Sequence, residues 1–160
     1  MKVKINDLMN GSKINFDFTV DKIDGVSLKE PVSINGIAYR EEDAYILECH
    51  YHGVIETQCV KCLEPLLETV KGDFQEKFLD SKSYSRYLSS LGEEEELEDE
   101  VINEAVNGEL EIIDLVREHI ILELSLYPTC EPSCDDTTML EQYGDDGIDP
   151  RWQQLLQIKN

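Results

Sequence analysis

The chain has 160 residues, about the length of one domain, and 41% of them are hydrophobic, which is enough to bury a core without disulfide bonds or metals. With 14 Lys and Arg against 35 Asp and Glu, the formal net charge is -21. That charge disfavours extended direct binding to nucleic acid, because phosphate backbones are repelled, and it favours the capture of a strongly basic protein.

The first residues, MKVKINDLMN, contain no apolar run of signal-peptide or membrane-spanning length. We therefore expect a cytoplasmic protein with no membrane partner. Because that compartment is reducing, the five cysteines are expected to be free thiols, metal ligands or redox groups and not a disulfide framework.

The first half of the chain alternates polar and apolar residues with the period of β-strands. The alternating stretches are VKI near the start, INFDFTV at 14–20, PVSINGIAYR at 31–40, AYILECHYHGVIETQ at 44–58 and, less cleanly, LLETVKGDFQEKFL at 66–79. Turn residues such as Asn10-Gly11 and Asp24-Gly25 separate the stretches, so the sequence predicts short antiparallel connections and a meander or small open barrel. Gly72 marks a bulge or bend in the last stretch.

The composition of the chain changes at Ser81, where a polar stretch leads into the acidic stretch GEEEELEDEVINEAVNG. Like charges packed this densely oppose burial, so we predict a mobile acidic insertion at about 81–108 within a single domain that spans 1–160. An alternative is that part of this insertion becomes helical when a basic partner neutralises it, because Leu97, Val101 and Ala105 recur at every fourth position.

The stretch ELEIIDLVREHIILELSLYP at 109–128 has the apolar period of an α-helix. Its apolar face should cover the sheet, and Pro128 should end it. The face consists of Ile112, Leu115, Val116, His119, Ile120, Leu122 and Leu126. The predicted fold class is α+β, with an antiparallel sheet or small open barrel in the N-terminal half, one main covering helix and a short C-terminal helix.

The C-terminal helix is predicted from IDPRWQQLLQIKN at 148–160. Asp149 is a suitable N-cap and Pro150 a suitable first helical residue. Trp152 would expose a large apolar ring unless it docks onto the domain or a partner. We therefore assign partner binding to Asp149, Pro150, Arg151 and Trp152.

Two cysteine pairs lie in TQCVKCLEP at 57–65 and PTCEPSCDD at 128–136. A tight turn would hold Cys59 and Cys62 outward, and Cys130 and Cys134 would approach from the loop after the main helix. Four thiolates satisfy a tetrahedral structural zinc. The pairs are 67 residues apart, so the fold must bring them together, and unligated thiols and redox exchange stay open as alternatives.

The other candidate residues have ordinary structural explanations. Strand alternation places Cys49 on the apolar face with Tyr45, Leu47 and Tyr51, where a thiol packs as a small hydrophobe. His50 and His52 point the other way as surface residues, and His119 with Glu123 forms an ordinary pair on the main helix. The sequence contains no Gly-rich phosphate loop and no nucleophile elbow, so we expect no enzymatic activity.

The order of three motifs resembles the YceD family of bacteria and plastids. These motifs are C-x-x-C-L-E-P at 59–65, IDLVREHIILEL at 113–124 and DPRW at 149–152, and the resemblance spans roughly residues 35–157. Resemblance to this family implies a role in accumulation of large-subunit ribosomal RNA. Its bacterial members are commonly encoded beside a small zinc-bearing ribosomal protein of the large subunit.

We therefore expect a non-enzymatic ribosome-biogenesis factor whose acidic surface binds a basic ribosomal protein or assembly intermediate. One alternative is an RNA-binding or RNA-processing factor that uses a local basic patch. Another is a thiol redox protein that uses Cys59 and Cys62.

Overall fold

The computed structural model describes residues 1–90, 101–130 and 134. The chain divides into two compact units. We call the first, made of Met1–Thr57 and Leu67–Leu126, the sheet unit, and the second, made of Gln58–Leu66 and Tyr127–Asn160, the cysteine unit.

The strands predicted at 14–20, 31–40, 44–58 and 66–79 are confirmed, each end to within one residue. The predicted main helix is confirmed but is shorter than 109–128. In chain order the elements are β1 Lys2–Lys4, β2 Ile14–Val20, β3 Val32–Glu41, β4 Ala44–Gln58, β5 Pro65–Asp80, α1 Ser81–Ser90, β6 Ile102–Ala105, β7 Glu109–Glu111 and α2 Ile112–Glu123.

The main sheet has the order β2-β3-β4-β5-β6 and curls into a half-barrel. β3 pairs antiparallel with both β2 and β4, which agrees with the predicted meander. β5 and β6, in contrast, pair in parallel, so the sheet is mixed and the predicted antiparallel sheet is confirmed only in part. The reason is that the connection from β5 to β6 runs through α1 and is long enough for a crossover.

A second, two-stranded sheet joins β1 to β7, with Lys2 opposite Glu111 and Lys4 opposite Glu109. The prediction that residues 109–111 begin the main helix is therefore wrong. Alternation explains the strand, because Leu110 is fully buried between the two glutamates, which face outward.

The core of the sheet unit includes Cys49, as predicted, and one face of α2 formed by Ile112, Val116 and Ile120. Leu122 and Leu126 are 82% and 86% exposed, so their assignment to the buried face is wrong. Leu122 lies two positions after Ile120, which places it on the opposite side of the helix, and Leu126 follows the helix end at Glu123.

Parts of the predicted mobile insertion at 81–108 have regular structure, since α1 occupies its beginning and β6 lies near its end. Residues 91–100 between them lie outside the described residues, as does the predicted C-terminal helix. The described helices are too short and too polar to cross a membrane.

Candidate metal centre and acidic groove

The first cysteine pair lies in a tight turn of the cysteine unit. The backbone N–H of Cys59 donates to the carbonyl of Glu64, and that of Leu63 donates to the carbonyl of Cys59, each over 2.9 Å. Leu63 has a φ of 63°, in the left-handed region that non-glycine residues rarely adopt. The turn therefore brings Cys62 back toward Cys59 although it strains one residue.

The second pair approaches this turn from the segment after α2. The carbonyl of Pro128 accepts a hydrogen bond of 2.9 Å from the N–H of Val60, which joins the two segments of the unit. The Sγ atoms of Cys59 and Cys134 are 3.4 Å apart, and those of Cys62 and Cys130 are 3.5 Å apart.

All four sulfurs lie within 4.8 Å of one another, so they can hold one metal ion. A tetrahedral zinc with sulfur ligands at about 2.3 Å separates those sulfurs by roughly 3.8 Å. The donor set and the observed spacings therefore fit zinc with small shifts. Within the part of the chain that the structure describes, these four cysteines form the cluster of metal-ligating side chains whose ligand atoms lie close enough together to share one ion.

The thiols differ in how readily they ionise. Backbone N–H groups, first that of Cys62 and then that of Lys61, lower the pKa of Cys59 to about 5. The neighbouring sulfur of Cys62 raises the pKa of Cys130 to about 12, and that of Cys59 raises the pKa of Cys134. A thiolate at Cys59 thus favours protonated partners until a cation compensates the repulsion between thiolates.

The predicted outward orientation of the first pair is wrong for Cys59, which is fully buried, while Cys62 is half-buried. Strand alternation and turn signals do not reveal the surroundings of Cys59, because its neighbour Cys134 is 75 positions away in the sequence. The predicted partner-binding residues Asp149, Pro150, Arg151 and Trp152 lie outside the described residues.

The histidines have the environments of structural residues. His50 and His52 are exposed, as predicted, and His50 contacts Asp73. The predicted pair of His119 with Glu123 does not form. His119 Nε2 contacts Glu76 at 3.1 Å and its ring stacks on Phe74, whereas Glu123 accepts a hydrogen bond from Tyr51. Contacts with the sheet override the pairing expected from helical spacing.

An acidic groove of the sheet unit escaped the sequence-based prediction. Its cavity, of about 340 Å³, has Phe78, Val106 and Leu115 among its apolar lining. Five carboxylates also line it, and the set consists of Glu104, Glu109, Glu111, Asp114 and Glu118. Two sequence features pointed toward this groove: the alternation of Glu109 with Glu111 on β7 and the spacing of Asp114 and Glu118 on α2. Neither feature shows that the two elements meet.

Lys2 on β1 compensates part of this charge. Its Nζ lies 3.0 Å from Glu109 and also contacts Glu111. Hydrogen bonds to Glu111 and then to Glu109 raise the pKa of Lys2 to about 12. With Lys2 counted, the groove keeps a net excess of carboxylates.

Comparison with known protein families identifies one family for this chain. A family model described as large ribosomal RNA subunit accumulation protein YceD matches residues 47–159, which is more than half of the chain and includes both cysteine segments. No curated protein and no solved structure matches the chain significantly. The family match shows that the chain belongs to the YceD family, whose description names accumulation of the large ribosomal RNA subunit.

Proposed function

We propose that the chain is a non-enzymatic, cytoplasmic ribosome-biogenesis factor that supports accumulation of large-subunit ribosomal RNA by binding a basic ribosomal protein or assembly intermediate. Membership of the YceD family supports the assignment to accumulation of large-subunit ribosomal RNA. The observation that carries the mode of binding is the acidic groove of the sheet unit, whose lining combines five carboxylates with apolar side chains.

The groove matches the chemistry of a Lys- and Arg-rich protein segment. Long basic side chains place an apolar stem on apolar surface and keep the charged end near carboxylates. Phe78, Val106 and Leu115 provide such surface, and the lining carboxylates Glu111 and Glu118 are exposed. The formal net charge of -21 adds long-range attraction.

Binding of a Lys/Arg-rich peptide, measured by calorimetry, tests this proposal. Substituting Glu104→Gln, Glu111→Gln and Glu118→Gln together should weaken binding at least tenfold, because about 1.4 kcal/mol of interaction is then lost. The matched control substitutes three exposed carboxylates elsewhere, Asp7→Asn, Asp17→Asn and Glu30→Gln, and changes the net charge equally.

The groove variant should bind more weakly than the control variant. Equal affinities of the two variants would show that net charge alone attracts the peptide and would refute the groove as the binding site. The protein fraction extracted from purified large ribosomal subunits then serves as a second probe.

We propose in addition that Cys59, Cys62, Cys130 and Cys134 bind one structural zinc. Support comes from the four thiol donors within 4.8 Å of one another. Because four thiolates fill a tetrahedral shell, the ion would stabilise the turn at 59–62 against the segment at 128–134 without serving as a reaction centre.

Metal analysis after purification from zinc-containing medium tests this site, with Cys59→Ser and Cys130→Ser as disrupting variants. We expect one zinc per wild-type chain and a lower thermal midpoint in both variants and after chelation. A metal-free wild type with the same midpoint in chelator would refute zinc binding. Cys49→Ser is the control for metal content, because Cys49 belongs to the core of the sheet unit and not to the group of four cysteines.

One observation favours the RNA-binding alternative. Helix α1 contains Lys82 and Arg86 one turn apart and no carboxylate within Ser81–Ser90, and both line a shallow depression together with Ser85, Ser89 and Ser90. The doubly substituted chain Lys82→Gln, Arg86→Gln should lose any affinity for single-stranded RNA. If the wild type binds RNA more tightly than the basic peptide, the RNA-binding function replaces the first proposal.

A further inference from the structure

The four sulfurs of the cysteine unit are unequally accessible. Cys59 is fully buried and Cys134 is 9% exposed, whereas Cys62 and Cys130 are both half-buried. The accessible sulfurs form one close pair at 3.5 Å, and the buried sulfurs form the other at 3.4 Å. Each pair joins the turn at 59–62 to the segment that follows α2.

We propose that Cys62 and Cys130 are an oxidative modification site for small hydroperoxides, and that the disulfide they form releases the metal. This inference rests on the proposed zinc site for its consequence, but the modification itself needs only the two sulfurs. It differs from a Cys59–Cys62 redox motif because the reacting cysteines come from different segments of the chain.

The chemistry balances with hydrogen peroxide as the oxidant. The Cys62 thiolate attacks one peroxide oxygen, the O–O bond breaks, and the departing hydroxide takes up a proton to become water. The Cys130 sulfur then attacks the sulfur of this sulfenic acid and displaces hydroxide, which takes up the proton of the Cys130 thiol to become water. One thiolate, one thiol, one peroxide and one proton thus yield one disulfide and two waters, and sulfur supplies both electrons.

Geometry favours the second step over further oxidation of Cys62. The sulfur of Cys130 already lies 3.5 Å from that of Cys62, so the resolving sulfur needs little movement to attack. Fast resolution protects the sulfenic acid from a second peroxide.

Loss of two thiolates destroys the tetrahedral donor set, because Cys59 and Cys134 alone leave half of the zinc shell empty. The new disulfide links the same two chain segments that the metal joins. Oxidation therefore exchanges a metal connection for a covalent one, and the cysteine unit keeps its connectivity without zinc.

The remaining cysteine provides an internal control. Cys49 is fully buried in the sheet unit, and this burial raises its pKa to about 12, so it should resist peroxide.

The test is a titration of the purified, zinc-loaded chain with hydrogen peroxide. A chromogenic chelator reports released zinc, a thiol reagent counts free thiols, and mass spectrometry of peptides identifies each disulfide. We expect loss of two of the five thiols for each zinc released. The first linked peptide should be Cys62–Cys130, with Cys59–Cys134 appearing only at higher peroxide, and Cys49→Ala should leave the release rate unchanged.

The outcomes separate this inference from the zinc proposal. A chain that purifies without metal but still forms Cys62–Cys130 first would refute zinc binding and support the modification site. A first disulfide at Cys59–Cys62 or Cys59–Cys134 would overturn the inference even if zinc is bound. Zinc release without a disulfide, through oxidation beyond sulfenic acid, would overturn it as well.

Discussion

Tyr51 connects the main sheet to α2 through a single hydroxyl. Its O–H donates to Glu123 over 3.1 Å. Its side chain occupies the space above Gly72, where a Cβ atom would lie 2.5 Å from the hydroxyl oxygen and 2.7 and 2.9 Å from two ring carbons. The glycine that the sequence associates with a bulge or bend therefore leaves room for this tyrosine, and a side chain there would displace the ring.

Removing the hydroxyl should change how stability depends on pH. Burial, and then the hydrogen bond to Glu123, raises the pKa of Tyr51 to about 12. An unfolded tyrosine has a pKa of about 10, so the stabilisation is complete below pH ~10 and is lost as the pH rises through the folded pKa.

Tyr51→Phe should lower the free energy of unfolding by about 0.5–1.5 kcal/mol at pH 8, the usual contribution of a hydrogen bond. At about pH 11 this difference should shrink, because only the wild type loses stability by ionising this phenol. Urea unfolding at both pH values measures it. Parallel pH profiles of the two proteins would contradict the assignment.

Among the elements, α1 shows why a polar stretch folded into a helix. Asp80 Oδ1 accepts hydrogen bonds from the backbone N–H groups of Lys82 and Ser83, each over 3.0 Å, and Oδ2 accepts one from Ser83 Oγ. These bonds, led by the N–H of Ser83, lower the pKa of Asp80. The side chain thus satisfies the first donors of the helix.

Replacing β6 should be far more harmful than replacing the acidic residues before it. Ala105 is 1% exposed, and Asn103 donates a 2.6 Å hydrogen bond to Glu76, so residues 102–105 contribute burial and pairing. A Gly/Ser sequence of equal length at 102–105 should lower the thermal midpoint by more than about ten degrees. The same replacement at 93–99 is the control and should shift the midpoint by less than about two degrees. Calorimetry compares the two, and a similar loss in both would show that the acidic residues pack on the core.

The DPRW motif at 149–152 is an element that lies outside the described residues, so its role is a proposal. Trp152→Ala should weaken capture of large-subunit ribosomal proteins at least tenfold if the ring is a binding anchor. Gln153→Ala is the matched control. A loss of about 3 kcal/mol in stability with capture intact would instead assign the ring to the fold, and no change in either would make the motif a passive tail.

For the whole molecule, the net charge should govern how fast a basic partner is captured. The formal charge of -21 creates a field that ions screen over about 10 Å at 0.1 M salt. We expect the association rate with the Lys/Arg-rich peptide to fall at least tenfold between about 20 and 200 mM salt, with a smaller change in the dissociation rate. Stopped-flow fluorescence measures both rates. A salt-independent association rate would exclude electrostatic capture.

The sequence by itself determined four strands, the main helix and the family. Burial of one strand face imposes a period of two residues, so β2, β3, β4 and β5 could be predicted closely from the alternation of their own residues. The apolar period of α2 and the identity of the four clustered cysteines could also be predicted from the sequence. Each strand, the helix and each cysteine pair depends on residue type and on spacing within one short segment.

Only the tertiary structure decided which distant segments meet. It paired Cys59 with Cys134 and Cys62 with Cys130, made β6 parallel to β5, and assembled the acidic groove from several elements. It also directed His119 to Glu76 instead of Glu123. Such contacts depend on the path of the chain and on which faces the core buries, and a residue's neighbours in sequence carry little information about either.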